Sequence, residues 1–130
     1  MSVRFVANAL AVEDLPDVNT FLIALADNAE EPTHVLELQK ALEVDEDDPD
    51  SDTYCLVLDG AATHYGGVRT CLLSGHSLVL RLDDEAAGAL GIDSFEIELD
   101  LAEEERAVLR SGLARLFWGD RLEPGELVLA

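Results

Sequence analysis

The chain has 130 residues, 48% of them hydrophobic, and a formal net charge of −20 from 28 Asp and Glu against 8 Lys and Arg. That length predicts one domain over residues 1–130 with a core of its own. So acidic a surface repels nucleic acid and anionic membranes and attracts basic partners, raising their association rates.

No apolar run approaches the ~20 residues of a membrane span. The opening MSVRFVANALAVED lacks the charged head, apolar middle and cleavage site of a signal peptide, so a cytoplasmic location is expected.

Ser2 to Val12 alternates, with Val3, Phe5 and Ala7 on one side, and predicts a first strand. Glu13 to Asp17 contains Pro16 and predicts a turn. Phe21 to Ala26 reads as an apolar strand ending at Asp27-Asn28, with Glu30-Glu31-Pro32 as a loop. Thr33 to Leu42 satisfies two periods. Val35, Leu38, Ala41 and Leu42 fit a helix capped by Thr33, while Leu36, Leu38 and Lys40 alternate as in a strand. The strand is preferred, because it would pair with its short-loop neighbours.

Glu43 to Asp52 carries Asp45, Glu46, Asp47, Asp48, Asp50 and Asp52 almost without interruption. Pro49 blocks a regular strand and like-charge repulsion disfavours a helix, so an exposed loop is expected. This run skews the charge. Residues 1–60 hold 15 acidic and 2 basic residues, and residues 61–130 hold 13 and 6.

The stretch Asp52 to Ser74, DTYCLVLDGAATHYGGVRTCLLS, organises the rest. It predicts a hairpin: a strand over Thr53 to Leu58, a loop with Gly60 and His64-Tyr65-Gly66-Gly67, and a strand over Val68 to Leu73. Centred near Thr63, that hairpin would set Cys55 and Cys71 roughly opposite one another. Free buried thiols are expected, since cytosolic cysteines stay reduced, although a bridge is left open.

Leu78 to Leu82 predicts a strand after the turn Gly75-His76. Asp83-Asp84 precede a short helix over Glu85 to Leu90, closed by Gly91. Ser94 to Leu99 alternates with Phe95, Ile97 and Leu99 on one face. Asp100-Leu101-Ala102-Glu103 has the form of a capping box, opening a helix to about Trp118 with Leu109, Leu113, Leu116 and Phe117 on one side. Gly119 ends it, and Glu126 to Leu129 predicts a last edge strand. The sum is an α+β fold: a mainly antiparallel sheet of about six or seven strands, with one long C-terminal helix and one short helix packed on it.

Site chemistry is sparse. Asp48, Asp50 and Asp52 alternate as in a calcium loop, but Thr53 stands where that loop needs Gly and Asp59 where it needs a bidentate Glu. His34, His64, His76, Cys55 and Cys71 have no zinc spacing. A Cys71–His64 nucleophile pair would need the hairpin to fold back, and nothing nearby would lower the thiol pKa. No catalytic residue, metal or cofactor is expected. In His64-Tyr65-Gly66-Gly67 the glycines suit a tight turn or bulge, with Tyr65 packed on the sheet edge. An exposed Tyr65 there could also anchor a partner.

A collinear series runs through Leu25-Ala26-Asp27, Glu31-Pro32, Leu36-Glu37-Leu38-Gln39-Lys40-Ala41-Leu42 and Asp47. It continues through Asp52-Thr53-Tyr54, Tyr65-Gly66-Gly67 and Ala86-Ala87-Gly88-Ala89-Leu90-Gly91. In this order, over about Val3 to Phe117, the chain resembles the immunity protein 10 family of bacterial polymorphic toxin systems. The resemblance implies a small cytoplasmic protein that binds and neutralises a cognate secreted toxin without chemistry of its own. Nuclease-type toxins hold phosphate and tend to be basic, which suits an acidic inhibitor.

The expected contact residues are then Asp45, Glu46, Asp47, Asp48, Asp50 and Asp52 for electrostatics and Tyr65 as an anchor. Two other readings stay open: an acidic adaptor with a non-toxin partner, and a small metal- or thiol-dependent enzyme. A homodimer through an edge strand is also left open.

Overall fold

The computed structural model describes residues 2–28, 30–43, 54–60, 62–117 and 127–129. Among these, period-two alternation yields strands β1 (Ser2–Ala7), β2 (Ala9–Leu15), β3 (Thr20–Ala26), β4 (Val35–Ala41) and β5 (Tyr54–Leu58). Strands β6 (Ala62–Tyr65), β7 (Val68–Ser74), β8 (Ser77–Leu82), β9 (Ser94–Leu99) and β10 (Leu127–Leu129) follow, with helix α1 (Asp84–Leu90) before β9 and helix α2 (Glu103–Leu116) after it.

The strands form two five-stranded sheets. Sheet A has the order β1-β9-β8-β7-β10 and sheet B the order β2-β3-β4-β5-β6. Sheet B is an antiparallel meander, whereas β1 on β9 and β10 on β7 are parallel pairs. This overturns the expected single sheet of six or seven strands under one long helix. Among the described residues the protein is mostly β, with two short helices.

Two local events explain the second sheet. The stretch Ser2 to Val12, expected as one strand, breaks at Asn8, so that β1 joins sheet A and β2 joins sheet B. The expected hairpin also splits. Asp59 and Gly60 both take left-handed backbone, φ 54° and 71°, and turn β5 straight back into β6. This is the Asp-Gly hairpin signal. Gly66 and Gly67 then carry the chain across to β7 in the other sheet. Cys55 therefore faces Tyr65, not Cys71, and both cysteines are free.

The inward faces of both sheets contribute to one apolar core, with Ile23, Leu38 and Leu56 from sheet B and Leu80, Phe95 and Ile97 from sheet A. Helix α2 lays Leu109, Leu113 and Leu116 into that core, and its Gly112 sits against Val12 and Ile23. Helix α1 is capped by Asp83, whose carboxylate accepts the Ala86 N–H at 2.8 Å, and closes at Gly91 in left-handed backbone.

The anticipated capping box of α2 is displaced. The N-cap is Ala102, which has no side-chain acceptor, and Glu105 accepts the Ala102 N–H at 3.2 Å. Gly67 has a second reason to be glycine: at φ 92°, a Cβ there would lie 2.4 Å from the Ala86 Cβ. The α1 helix rests on that gap.

Candidate interaction surface

One end of sheet B holds Tyr65 and the described residues that flank the acidic run in the sequence. Asp45, Glu46, Asp47, Asp48, Asp50 and Asp52 themselves lie outside the described residues, as does the expected loop that holds them. The residues flanking that segment are well anchored. On the entry side, Asn19 takes left-handed backbone (φ 51°) after the single 3-10 turn Pro16–Val18. Its side chain donates to the Glu43 carbonyl and accepts the Glu43 N–H, both at 2.9 Å. The Leu42 N–H donates to the Asn19 carbonyl at 3.1 Å. Asn suits this role because its short amide bonds nearby backbone while tolerating positive φ.

On the exit side, Tyr54 is buried and its ring meets the edge of Phe117 at 5.1 Å between centroids. The Tyr54 hydroxyl accepts the Val68 N–H at 2.8 Å, so this one side chain ties sheet B to sheet A and to the end of α2. Lys40, the only lysine, donates from Nζ to the Leu116 carbonyl at 3.1 Å, a cation at a helix C-terminus where the dipole favours it. Arg115 stacks 4.0 Å over the Phe21 ring and pairs with Asp14 at 2.9 Å. Two basic side chains at this end are thus held by described partners.

Tyr65 is where an anchor would be useful. It lies on β6, an edge strand of sheet B, and is 54% exposed. It points outward, in a row that crosses the sheet as Glu13, Leu22, Gln39, Cys55 and Tyr65. Sequence reasoning weighed Tyr65 but missed its neighbours in this row. The available signal was β3 itself, TFLIALA, which has no charged residue on either face.

The chemistry imagined for the cysteines does not assemble. Cys71 is fully buried on β7, and burial pushes its thiol up to about 12. Burial also raises the Cys55 thiol, with the Glu37 carboxylate adding to it against a hydrogen bond from the His64 backbone. Neither is a thiolate near neutral pH. His64 places Nδ1 3.3 Å from the Gly66 carbonyl, on the inward side of β6, whereas Cys55 stands in the outward row. Among the described residues, no group of three or more His, Cys, Asp and Glu side chains is placed to hold a metal ion. None of their helices is long and apolar enough to cross a membrane.

The profile of the immunity protein 10 family matches residues 6–107. The chain belongs to the immunity protein 10 family. That match takes in β2 to β9 whole, the acidic segment and Tyr65, and leaves out most of β1, most of α2 and β10. No curated protein matches the chain. Membership of the immunity protein 10 family points to an immunity role in a toxin system.

Proposed function

We propose that this immunity protein 10 member binds and neutralises a cognate, basic, secreted toxin through an acidic surface, without catalysing a reaction. The observation that carries the proposal is the family match, because it spans the acidic segment and Tyr65. Physical chemistry supports the basic partner. A net charge of −20 produces a long-range field that draws in a cationic protein and orients it before contact. Six of the carboxylates fall between Glu43 and Tyr54 in the sequence, and both of these residues are anchored, to Asn19 and to Val68. Inhibition by binding needs a rigid scaffold and a complementary surface, and no group on the chain has to react.

The deciding experiment is co-purification with the product of the adjacent open reading frame, repeated across salt concentrations. The expected result is a tight, salt-sensitive complex that abolishes the neighbour's toxicity. A toxic neighbour that is neither bound nor neutralised would sink the proposal.

A further inference from the structure

We infer that the outward face of sheet B is a docking surface for an apolar patch ringed by Lys and Arg on the toxin. The inference rests on the immunity reading and goes beyond it, because it assigns the contact to a sheet face in addition to the acidic segment. The face follows from strand register. Beside the row through Leu22, a second row runs Ala11, Ala24, Glu37, Val57 and Thr63. Next to that lie Ala26 and Val35. Both helices pack on the other side: α2 through Val12 and Ile23, and α1 through Gly67. No described element covers the outward side.

An antiparallel sheet with one face in water normally alternates apolar-in and polar-out. Here β3 buries Phe21, Ile23 and Leu25 inward and turns Leu22, Ala24 and Ala26 outward. A chain with 28 carboxylates has placed only Glu13 and Glu37 among the outward residues of its paired β2 to β6 strands. The alanines make the centre low and flat, so a partner's side chains can seat on the sheet, while Tyr65 rises at the rim with a large amphipathic ring.

Charge selects the occupant. The outward side chains of this face include no Lys, Arg or His, and both charged groups on it are acids. A second copy would bring like charges together, at −20 for each chain. A basic-rimmed patch meets Glu13 and Glu37 favourably. Size agrees with a shared role. Five strands about 4.8 Å apart and about 20 Å long give a face of roughly 400 Å². A stable interface takes about 800 Å² per partner. The sheet face therefore supplies about half of such an interface.

The test compares Leu22→Lys and Ala24→Lys with Val79→Lys, which is the equivalent change on the outward face of sheet A, for binding to the toxin encoded by the adjacent reading frame. Circular dichroism confirms folding of each variant. Cross-saturation from the toxin to the Val35 and Val57 methyl groups of unmutated protein gives a readout independent of any variant's folding. The expected result is at least a tenfold loss of affinity for the two sheet B variants, an unchanged Val79→Lys, and saturation of both valines. Wild-type affinity in folded Leu22→Lys and Ala24→Lys, or no saturation of the valines in the complex, overturns the docking face while leaving toxin binding intact. A concentration-dependent homodimer that Leu22→Lys dissolves overturns the occupant. Failure of the wild-type chain to bind a toxic neighbour removes the immunity reading and this inference together.

Discussion

The outward faces of the two sheets are built in one small protein, yet they differ in how much charge they carry. On sheet A the outward residues include Arg4, Arg81, Glu96 and Glu98, with serines between them. Arg4 pairs with Glu96, and the Ser2 and Ser94 hydroxyls bond at 2.7 Å. Charged and hydroxyl groups dominate this end of the face, while Val79, Leu72 and Val128 continue it across β8, β7 and β10. On sheet B the corresponding positions are mostly alanine and branched aliphatics. Both inward faces are mainly apolar, with Asp14, Lys40 and His64 as the exceptions on sheet B, so core packing does not explain the difference. The lesson is that alternation must be read twice, once for what each strand buries and once for what it leaves outside.

The largest expected effect separates burial from display within one strand. Ile23→Ala removes a fully buried side chain and should cost about 2–5 kcal/mol of unfolding free energy. Leu22→Ala, one residue away on the outward side, should cost under about 1 kcal/mol in the same denaturant titration. Comparable losses would mean that Leu22 belongs to the core and that the contrast between faces is an artefact of register.

Next comes electrostatics. Changing Asp45, Glu46, Asp47 and Asp48 together to Asn or Gln should slow toxin association on the order of tenfold at low salt, with little change at high salt. An unchanged on-rate would place the steering charge elsewhere and leave sheet B to act alone.

A third measurement bears on the inward side of sheet A. The Cys71 thiol is raised from 9.0 to about 12, so the folded state holds this proton where the unfolded chain has released it. Cys71 therefore leaves stability unaffected below pH 9 and lowers it as pH rises from there towards 12, by up to about 1.4 kcal/mol per pH unit. Cys71→Ala should flatten that slope in alkaline unfolding curves, and Cys55→Ala should flatten it less. The smallest effect is chromatographic. Leu22→Lys should shorten retention on a hydrophobic column, and Val79→Lys should shorten it less, because Val79 stands beside Glu96 in a face that is already polar.

Much of the fold was legible where one physical signal dominates. Ser94 to Leu99 is a strand to the residue, and Asp83 and Gly91 bracket α1 as their cap chemistry requires. The ambiguous stretch after Thr33 is β4, since Leu36 and Leu38 are buried in strand register. The two-sheet plan was hidden because the decisive breaks are single residues. Asn8 interrupts no hydrophobic period, and the Asp59-Gly60 turn was passed over in favour of the more conspicuous Gly66-Gly67. Periodicity also assigns residues to a side without saying whether that side will be covered, so the apolar strand Phe21 to Ala26 did not reveal that Leu22 and Ala24 face outward. Tyr65 was expected to pack on the sheet edge, with an exposed anchor as the alternative, and its row was not legible because cross-strand neighbours come from pairing.

The two sheets also differ in how far apart in the chain their partners lie. Each strand of sheet B pairs with the next along the sequence, so it can zip from one short connection to another. Strand β1 must instead wait for β9, with Val3 opposite Phe95 and nearly the whole molecule looped between them. Long loops close slowly because their entropy is spent before any contact rewards it. Pulsed hydrogen exchange during refolding should accordingly protect β3 and β4 amides before those of β1. On a ribosome, sheet B can be complete once Tyr65 has emerged, while β1 remains unpaired until β9 follows; the apolar face would then be on display before the acidic molecule around it is finished.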